Sequence, residues 1–497
     1  MRSRPDHLMW DQLFDLSPRS EISLQGQLRE QLVSAILDGH IPRDKPIPSS
    51  RELAKQLDIG RNTVVLAYQH LVDEGFLIPR ERRGYYINER ILAGRVKQAR
   101  PASRPTGTKP SWSMRFNFQP SAQRNIQKPH NWRDFPYPFI YGQPDPELVP
   151  IADWRECCRQ VLSANTIVET SQDRFDHDDP LLVEQILSRV LPRRGIWAAP
   201  DEILVTMGTQ HALYLIASLL VSQSHAVGFE EPGYPDARNI FLQRTTNVVP
   251  IGIDHSGMIV NEDLDQCNYV YVTPSHQSPT TITLSAARRA ALLAKADQAD
   301  LIVIEDDYES ETNFVGEPTP ALKSLDNSGR VIYVGSLSKT VAPGLRVGFM
   351  VGPAELIREA RAQRRLMLRH PPTNNQRIVG LFLSLGHHDS LIARLSHHYR
   401  QRWRVMAEAL EAYLPESTRV PSFGGTAFWI KGPKTLDAYQ LCKRALKAGI
   451  LIEPGEVHFM APDPPKHFFR LGFSAIPAER IGEGIRQIAE LIHTDTE

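Results

Sequence analysis

Cysteine is scarce in this 497-residue chain, with four in all at Cys157, Cys158, Cys267 and Cys442. None stands in Cys-x-x-Cys spacing, so neither a zinc site nor a disulfide framework is supported. An excess of charge is also missing: Lys+Arg and Asp+Glu number 57 each. Any surface that attracts a charged partner must therefore be local. The N-terminal MRSRPDHLMWDQLFDL lacks the apolar core of a signal peptide, and no apolar run reaches membrane-spanning length. The expectation is a cytoplasmic protein without a membrane partner. There is no GxxxxGK[ST] phosphate loop and no His/Cys cluster, so no metal is expected. One stretch lacks acids altogether, from Ile91 to Arg133. What remains is 41% hydrophobic and 23% charged, an ordinary globular composition with length for roughly three domains.

Residues 15–90 read as a small helical module. Apolar residues recur at helical spacing from Leu24 to Leu37, and Asp38-Gly39 ends the run. Ser49 and Ser50 precede a second helix that begins near Arg51 and ends near Leu57. After Asp58-Ile59-Gly60, Arg61-Asn62-Thr63 opens a third helix that Gly75 closes. Phe76-Leu77-Ile78 and Gly84-Tyr85-Tyr86-Ile87 flank the basic turn Arg80-Glu81-Arg82-Arg83, a hairpin with a cationic tip. This is the layout of a winged helix-turn-helix. Arg61, Asn62 and Thr63 would lead the third helix into the major groove of double-stranded DNA, with Ser49 and Arg51 fixing register. Arg80, Arg82, Arg83 and Gly84 would form the wing. The PSSRELA…RNTV…AYxxLxxEGF run resembles the GntR-type winged-helix domain, which implies DNA binding.

Residues 91–135 form a basic, Pro/Ser-rich linker. Arg95, Lys97, Arg100, Arg104, Lys109, Arg115, Arg124 and Lys128 are spread along it, so a tether with a secondary grip on DNA phosphates is expected.

In residues 136–497, β-branched runs alternate with helical patterns, which indicates an α/β domain with a mainly parallel central sheet. The runs begin at Glu202, Ala226, Tyr269, Leu301, Val331 and Val347. Ligands of such sheets sit beyond the carboxyl ends of the strands. Those ends carry Thr209 and Gln210, Tyr234, Ser278, Asp306 and Tyr308, and finally Ser336, Ser338 and Lys339, with Arg346 seven residues on. A lysine is chemically useful only if it can lose its proton, which demands burial or neighbouring cations. The set suits pyridoxal 5′-phosphate: Lys339 for a Schiff base, Asp306 for the ring nitrogen and Tyr308 for the phenolic oxygen, with Ser278 of the polar turn also at the cofactor. Tyr234 would stack on the ring, and Thr209, Gln210, Ser336, Ser338 and Arg346 would surround the phosphate. Arg470, in the apolar Phe468–Phe473 run, reads equally as an ion-pair partner or as a carboxylate anchor.

This second region resembles fold-type I aminotransferases. Joined to the GntR-like module, it resembles the MocR family of transcriptional regulators, and within that family the regulators of taurine use. The resemblance implies a head-to-tail homodimer on an operator with repeated half-sites. It also implies sensing of an amino acid, ω-amino acid or amino sulfonate through an external aldimine, with Arg470 holding the small amine effector. Two stretches depart from the aminotransferase pattern. Ser278-Pro279-Thr280-Thr281 replaces Asn-Pro-Thr-Gly, and Phe175-Asp176-His177-Asp178-Asp179-Pro180 replaces a Tyr…Gly…Leu-Arg stretch. Transaminase activity is therefore expected to be weak or absent. Two alternatives stay open: a working aminotransferase with an accessory DNA-binding domain, and a sensor of the cofactor itself.

Overall fold

The structure, a computed structural model, describes residues 10, 13–18, 20, 22–92, 110–314, 319–417 and 424–493. Arg95, Lys97, Arg100, Arg104 and Lys109 of the linker lie outside them. The chain forms two compact units, Met1–Met114 and Arg115–Glu497.

In the first unit, α1 (Leu24–Leu37), α2 (Ser50–Gln56) and α3 (Arg61–Asp73) precede a hairpin of β1 (Leu77–Arg80) and β2 (Gly84–Ile87). Ser23 and Ser49 cap the first two helices, each accepting a backbone N–H. The apolar stripe of each helix points inward: Leu28, Leu32, Leu53, Val64 and Leu71 are fully buried, joined by Leu77 and Ile87 of the hairpin. Each such side chain contributes about 1.5–3 kcal/mol, enough for a small domain to hold its helices. The hairpin pairs Leu77 with Ile87 and Arg80 with Gly84, which leaves Glu81, Arg82 and Arg83 at its tip.

The second unit is built on eight strands: β3 (Ile203–Thr206), β4 (Val227–Glu231), β5 (Val248–Asp254), β6 (Gly257–Met258), β7 (Tyr269–Val272), β8 (Ile302–Asp307), β9 (Val331–Ser336) and β10 (Gly348–Val351). Their order is β3-β10-β9-β8-β7-β4-β5-β6. From β9 through β8, β7 and β4 to β5 the strands are parallel, while β10 runs antiparallel to both neighbours. Their near-continuous apolar runs follow from burial on both faces. A smaller sheet of β11 (Ala427–Lys431), β12 (Glu453–Pro454) and β13 (Phe468–Gly472) packs with helices His387–Tyr413 and Ala478–His493 around Phe428, Phe469, Leu471 and Ile485. Among the described residues, no helix is long and apolar enough to cross a membrane.

The linker reading needs one correction. From Arg115 on, the expected linker belongs to the second unit, with short 3-10 turns at Pro120–Ala122 and Trp132–Asp134. Arg124 donates to the carbonyls of Ala461 and Pro462 at 3.0 and 2.9 Å, and Asn239 donates to the Arg124 carbonyl at 3.0 Å. Lys128 donates to the Tyr141 carbonyl and stands 3.7 Å from Glu453. Both cations are engaged by their own domain, so neither is a free grip for DNA phosphates.

Candidate functional site

On the first unit, Ser49, Arg51, Arg61, Asn62, Arg80, Arg82, Arg83 and Gly84 are exposed and Thr63 is half-buried. The Ser49 oxygen caps α2 through the Glu52 N–H at 3.3 Å. The Arg80 guanidinium lies 4.2 Å from the ring of Tyr86. None of these arginines forms an ion pair among the described residues. Exposed cations without carboxylate partners, at a helix start and on a wing, are suited to phosphates and base edges.

In the second unit, the residues expected at a cofactor site converge on two adjoining cavities. The smaller, about 110 Å³, is lined by Thr209, Gln210, Ser336, Ser338, Lys339 and Arg346, with Tyr234 and Tyr308. The larger, about 300 Å³, is lined by Tyr234, Ser278, Asp306, Tyr308, Lys339 and Arg470, and also by Ile126, Lys128, Tyr141 and Gly142.

Strand periodicity explains how three consecutive acids are tolerated. Neighbouring residues on β8 face opposite sides of the sheet. Glu305 turns away to accept the N–H groups of Leu322 and Lys323, both at 2.7 Å. Asp307 turns away to Arg194 Nε at 2.8 Å and the Tyr333 hydroxyl at 2.9 Å. Asp306 alone faces the cavity. Its Oδ2 accepts from the Tyr271 hydroxyl at 2.8 Å, and its buried Oδ1 has no partner. Burial raises its carboxyl to about 7. An orphan carboxylate oxygen in such a place fits a cationic ring nitrogen.

Lys339 follows β9 and is enclosed. Burial, helped by Lys128 and Arg470, lowers its amine to about 8, against the opposing pull of Glu309 and Glu453. Its Nζ stands 4.0 Å from the centroid of Tyr141 and 5.5 Å from that of Tyr308. Next to Thr209, Gly208 has φ +77° and precedes the helix Thr209–Leu220. A Cβ on Gly208 would stand 2.8 Å from the Arg346 guanidinium, so glycine keeps this cradle open. Arg346 donates to the Met207 carbonyl at 3.2 Å.

Several side chains are engaged in ways the motifs do not disclose. The Ser338 hydroxyl donates to the Val347 carbonyl at 3.0 Å and accepts the Val347 N–H at 2.7 Å. The Tyr308 hydroxyl donates to the His276 carbonyl at 2.9 Å. Gln210 donates to Asp236 at 2.6 Å and to the Tyr234 hydroxyl at 3.3 Å. Arg470 lines the cavity, yet its Nε and Nη2 lie 2.8 and 2.7 Å from one oxygen of Glu453. In the stretch that replaces the aminotransferase Tyr…Gly…Leu-Arg, Asp178 is clamped by Arg361 and Arg364 at 2.8 and 2.6 Å. Sequence reasoning missed Tyr141, Gly142 and Glu453. It also placed Lys128 with DNA. The acid-free composition around Lys128 carried the only signal, and it pointed elsewhere.

Fold and site together define a cofactor domain of the aminotransferase type. The family model for aminotransferase class I and II matches residues 175–488, and that for bacterial regulatory proteins of the gntR family matches residues 24–87. The HTH-type transcriptional regulator TauR of Rhodobacter capsulatus is 40% identical over 96% of this chain and 98% of its own length. The probable rhizopine catabolism regulatory protein MocR of Rhizobium meliloti is 28% identical over 94% of each. A kynurenine aminotransferase of Pyrococcus horikoshii, solved with PMP, superposes with a TM-score of 0.70 at 28% identity, over 78% of this chain and 98% of that one. The chain therefore belongs to the MocR family of transcriptional regulators, a gntR-type DNA-binding unit joined to an aminotransferase class I and II unit. Its cofactor is pyridoxal 5′-phosphate.

Proposed function

We propose that the chain is a transcriptional regulator whose second unit senses a primary amine at the pyridoxal phosphate site and thereby changes how its first unit holds an operator. The observation that carries this reading is the enclosed Lys339, lowered to about 8, beside the orphan oxygen of Asp306. When bound, pyridoxal phosphate supplies an aldehyde carbon with which a primary amine can condense in exchange for Lys339. The remaining work belongs to the protein. Asp306 would hold the positive ring nitrogen, while Gly208, Thr209, Ser336 and Arg346 would hold the phosphate. A lysine amine near neutrality both releases and retakes its proton at working pH. Tyr141 and Tyr308 flank that amine and exclude water from it.

Arg470 is paired with Glu453, so an incoming carboxylate must compete with that partner, which favours sensing over rapid transamination. The effector must bind one conformation better than another, since only differential affinity shifts a population. Two copies arranged head to tail would set two winged helices on repeated half-sites. Large exposed apolar side chains on the second unit, among them Trp197 and Leu366 at 83% and Leu162 at 67%, support such an assembly.

The test uses the cofactor-loaded protein and fluorescent DNA from upstream of its own gene, with and without amines. An effector should shift the cofactor's visible band and alter DNA affinity or bending. Arg61→Ala should weaken DNA binding about 10- to 100-fold while leaving the band shift untouched. Sustained conversion of a keto acid to an amino acid, with DNA binding indifferent to amines, would instead identify an aminotransferase.

A further inference from the structure

Three cations converge on one aromatic ring in the larger cavity. Lys339 Nζ, the Arg470 guanidinium and Lys128 Nζ lie 4.0, 4.2 and 5.7 Å from the centroid of Tyr141. Lys339 and Lys128 also meet at Gly142, whose φ is +72°. A Cβ there would stand 3.0 Å from Lys339 Nζ and 3.6 Å from Lys128 Nζ, so the two amines are separated by no more than the sum of those distances.

Only one carboxylate, Glu453, ion-pairs with this group among the described residues. It lies 2.7 Å from Arg470 but 3.7 Å from Lys128, beyond hydrogen-bond reach. Two cations thus share one carboxylate, and the Lys128 ammonium, which donates to the Tyr141 carbonyl, has as its counter-charge only this more distant carboxylate that Arg470 already holds. A partly desolvated cation with an incomplete counter-charge is a site for an anion. Lys128 also lines a wider outer groove of about 850 Å³, which shares Ile126 with the inner cavity and is lined by Glu453 as well. An anion entering along that groove meets Lys128 before it meets Lys339.

We propose that Lys128 is the specificity-determining residue of this site: with Arg470 it receives the anionic group of a primary amine that carries a carboxylate or a sulfonate. The inference rests on the amine-sensing reading and narrows it. It carries a structural consequence, because Lys128 belongs to the segment 115–135, which continues in sequence toward the DNA-binding unit. An effector bound at Lys128 fastens that segment to the domain, in addition to the contacts made by Arg124.

The experiment titrates cofactor-loaded wild type, Lys128→Gln and Lys128→Arg with β-alanine, taurine and 1-propylamine, following the visible band. Tryptic cleavage after Arg115 and Arg124 is followed in parallel. Wild type should prefer at least one of the two anionic amines over propylamine by about tenfold or more, and the preferred one distinguishes carboxylate from sulfonate. Lys128→Gln should lose about tenfold in affinity for that amine and no more than about twofold for propylamine, while Lys128→Arg largely keeps it. The same amine should slow cleavage after Arg124 several-fold in wild type and not in Lys128→Gln. Unchanged anionic binding in Lys128→Gln, or an equal loss for propylamine, overturns the role of Lys128 and leaves amine sensing standing. A wild-type band that responds to no amine overturns both.

Discussion

The floor and the roof of the cofactor site are built on different principles. The floor is laid by ends of one sheet: Thr209 after β3, Tyr234 after β4, Ser278 after β7, Asp306 on β8 and Lys339 after β9. Its polar groups are held largely by neutral partners, such as Tyr271 on Asp306 and the Val347 backbone on Ser338. The roof is assembled from distant pieces: Lys128 and Tyr141 from the segment before the sheet, Glu453 from β12 and Arg470 from β13. Charge holds it together, with one carboxylate between two cations. A floor of neutral hydrogen bonds gives a fixed seat for one cofactor. A roof of shared charge can rearrange when a ligand brings a charge of its own.

The contrast breaks most sharply at Lys339. If the floor provides the amine exchange and the roof only its selectivity, Lys339→Ala should lose the response to every amine, charged or neutral. Lys128→Gln should lose only the anionic ones. The visible spectrum during titration distinguishes these outcomes. A Lys339→Ala protein that still shows an amine-dependent band shift would remove the floor's claim to the chemistry.

Glu453→Gln sharpens the comparison from the roof. The substitution leaves buried Arg470 without a countercharge, which should cost about 3 kcal/mol and lower the melting temperature. The same change removes the internal competitor for an incoming anion, so affinity for the preferred anionic amine should rise several-fold. Calorimetric melting and the band titration measure the two effects. A stability loss accompanied by weaker anion binding would mean that Glu453 shapes the cavity and does not compete for it.

How legible each half is in sequence follows from the same difference. The floor lies where β-branched runs stop, and each stop is local: Val331–Val334 leads to Ser336 and Lys339 with no distant information. The first unit is legible for a like reason, since its helices and hairpin are contiguous in sequence. Lys128 lies in a Pro- and Gln-containing stretch without periodicity, and its carboxylate neighbour is Glu453, in a different part of the fold. Charge counting could find the lysine but not its partner, and it assigned the lysine to DNA. Tyr141 is a lone aromatic, and only the closeness of three cations gives it meaning. Ser338 and Tyr308 show a subtler limit. Both line the cavities as their motifs imply, but their hydroxyls bond to the Val347 and His276 backbones, which no motif specifies. The clamp on Asp178 likewise depends on Arg361 and Arg364 from a distant helix.

The smallest effect should come from Glu230, behind the floor at the end of β4. Its carboxylate accepts from the Thr273 N–H and hydroxyl at 3.2 and 2.5 Å and from Gln277 at 3.3 Å, with no cation paired to it. Burial raises it to about 7 from an ordinary value of 4.5. The folded state then binds the proton more tightly than the unfolded chain, so between those two pH values the unfolded state holds fewer protons and stability falls as pH rises. The penalty is absent below about pH 4.5 and complete above about pH 7. Glu230→Gln keeps an oxygen for Thr273 and cannot ionise. It should therefore melt higher than wild type at pH 8 and match it near pH 4.5. Melting curves across that range test this directly, and a gain of equal size at both ends would show that the group is already neutral at pH 8 or that packing, not charge, sets the difference.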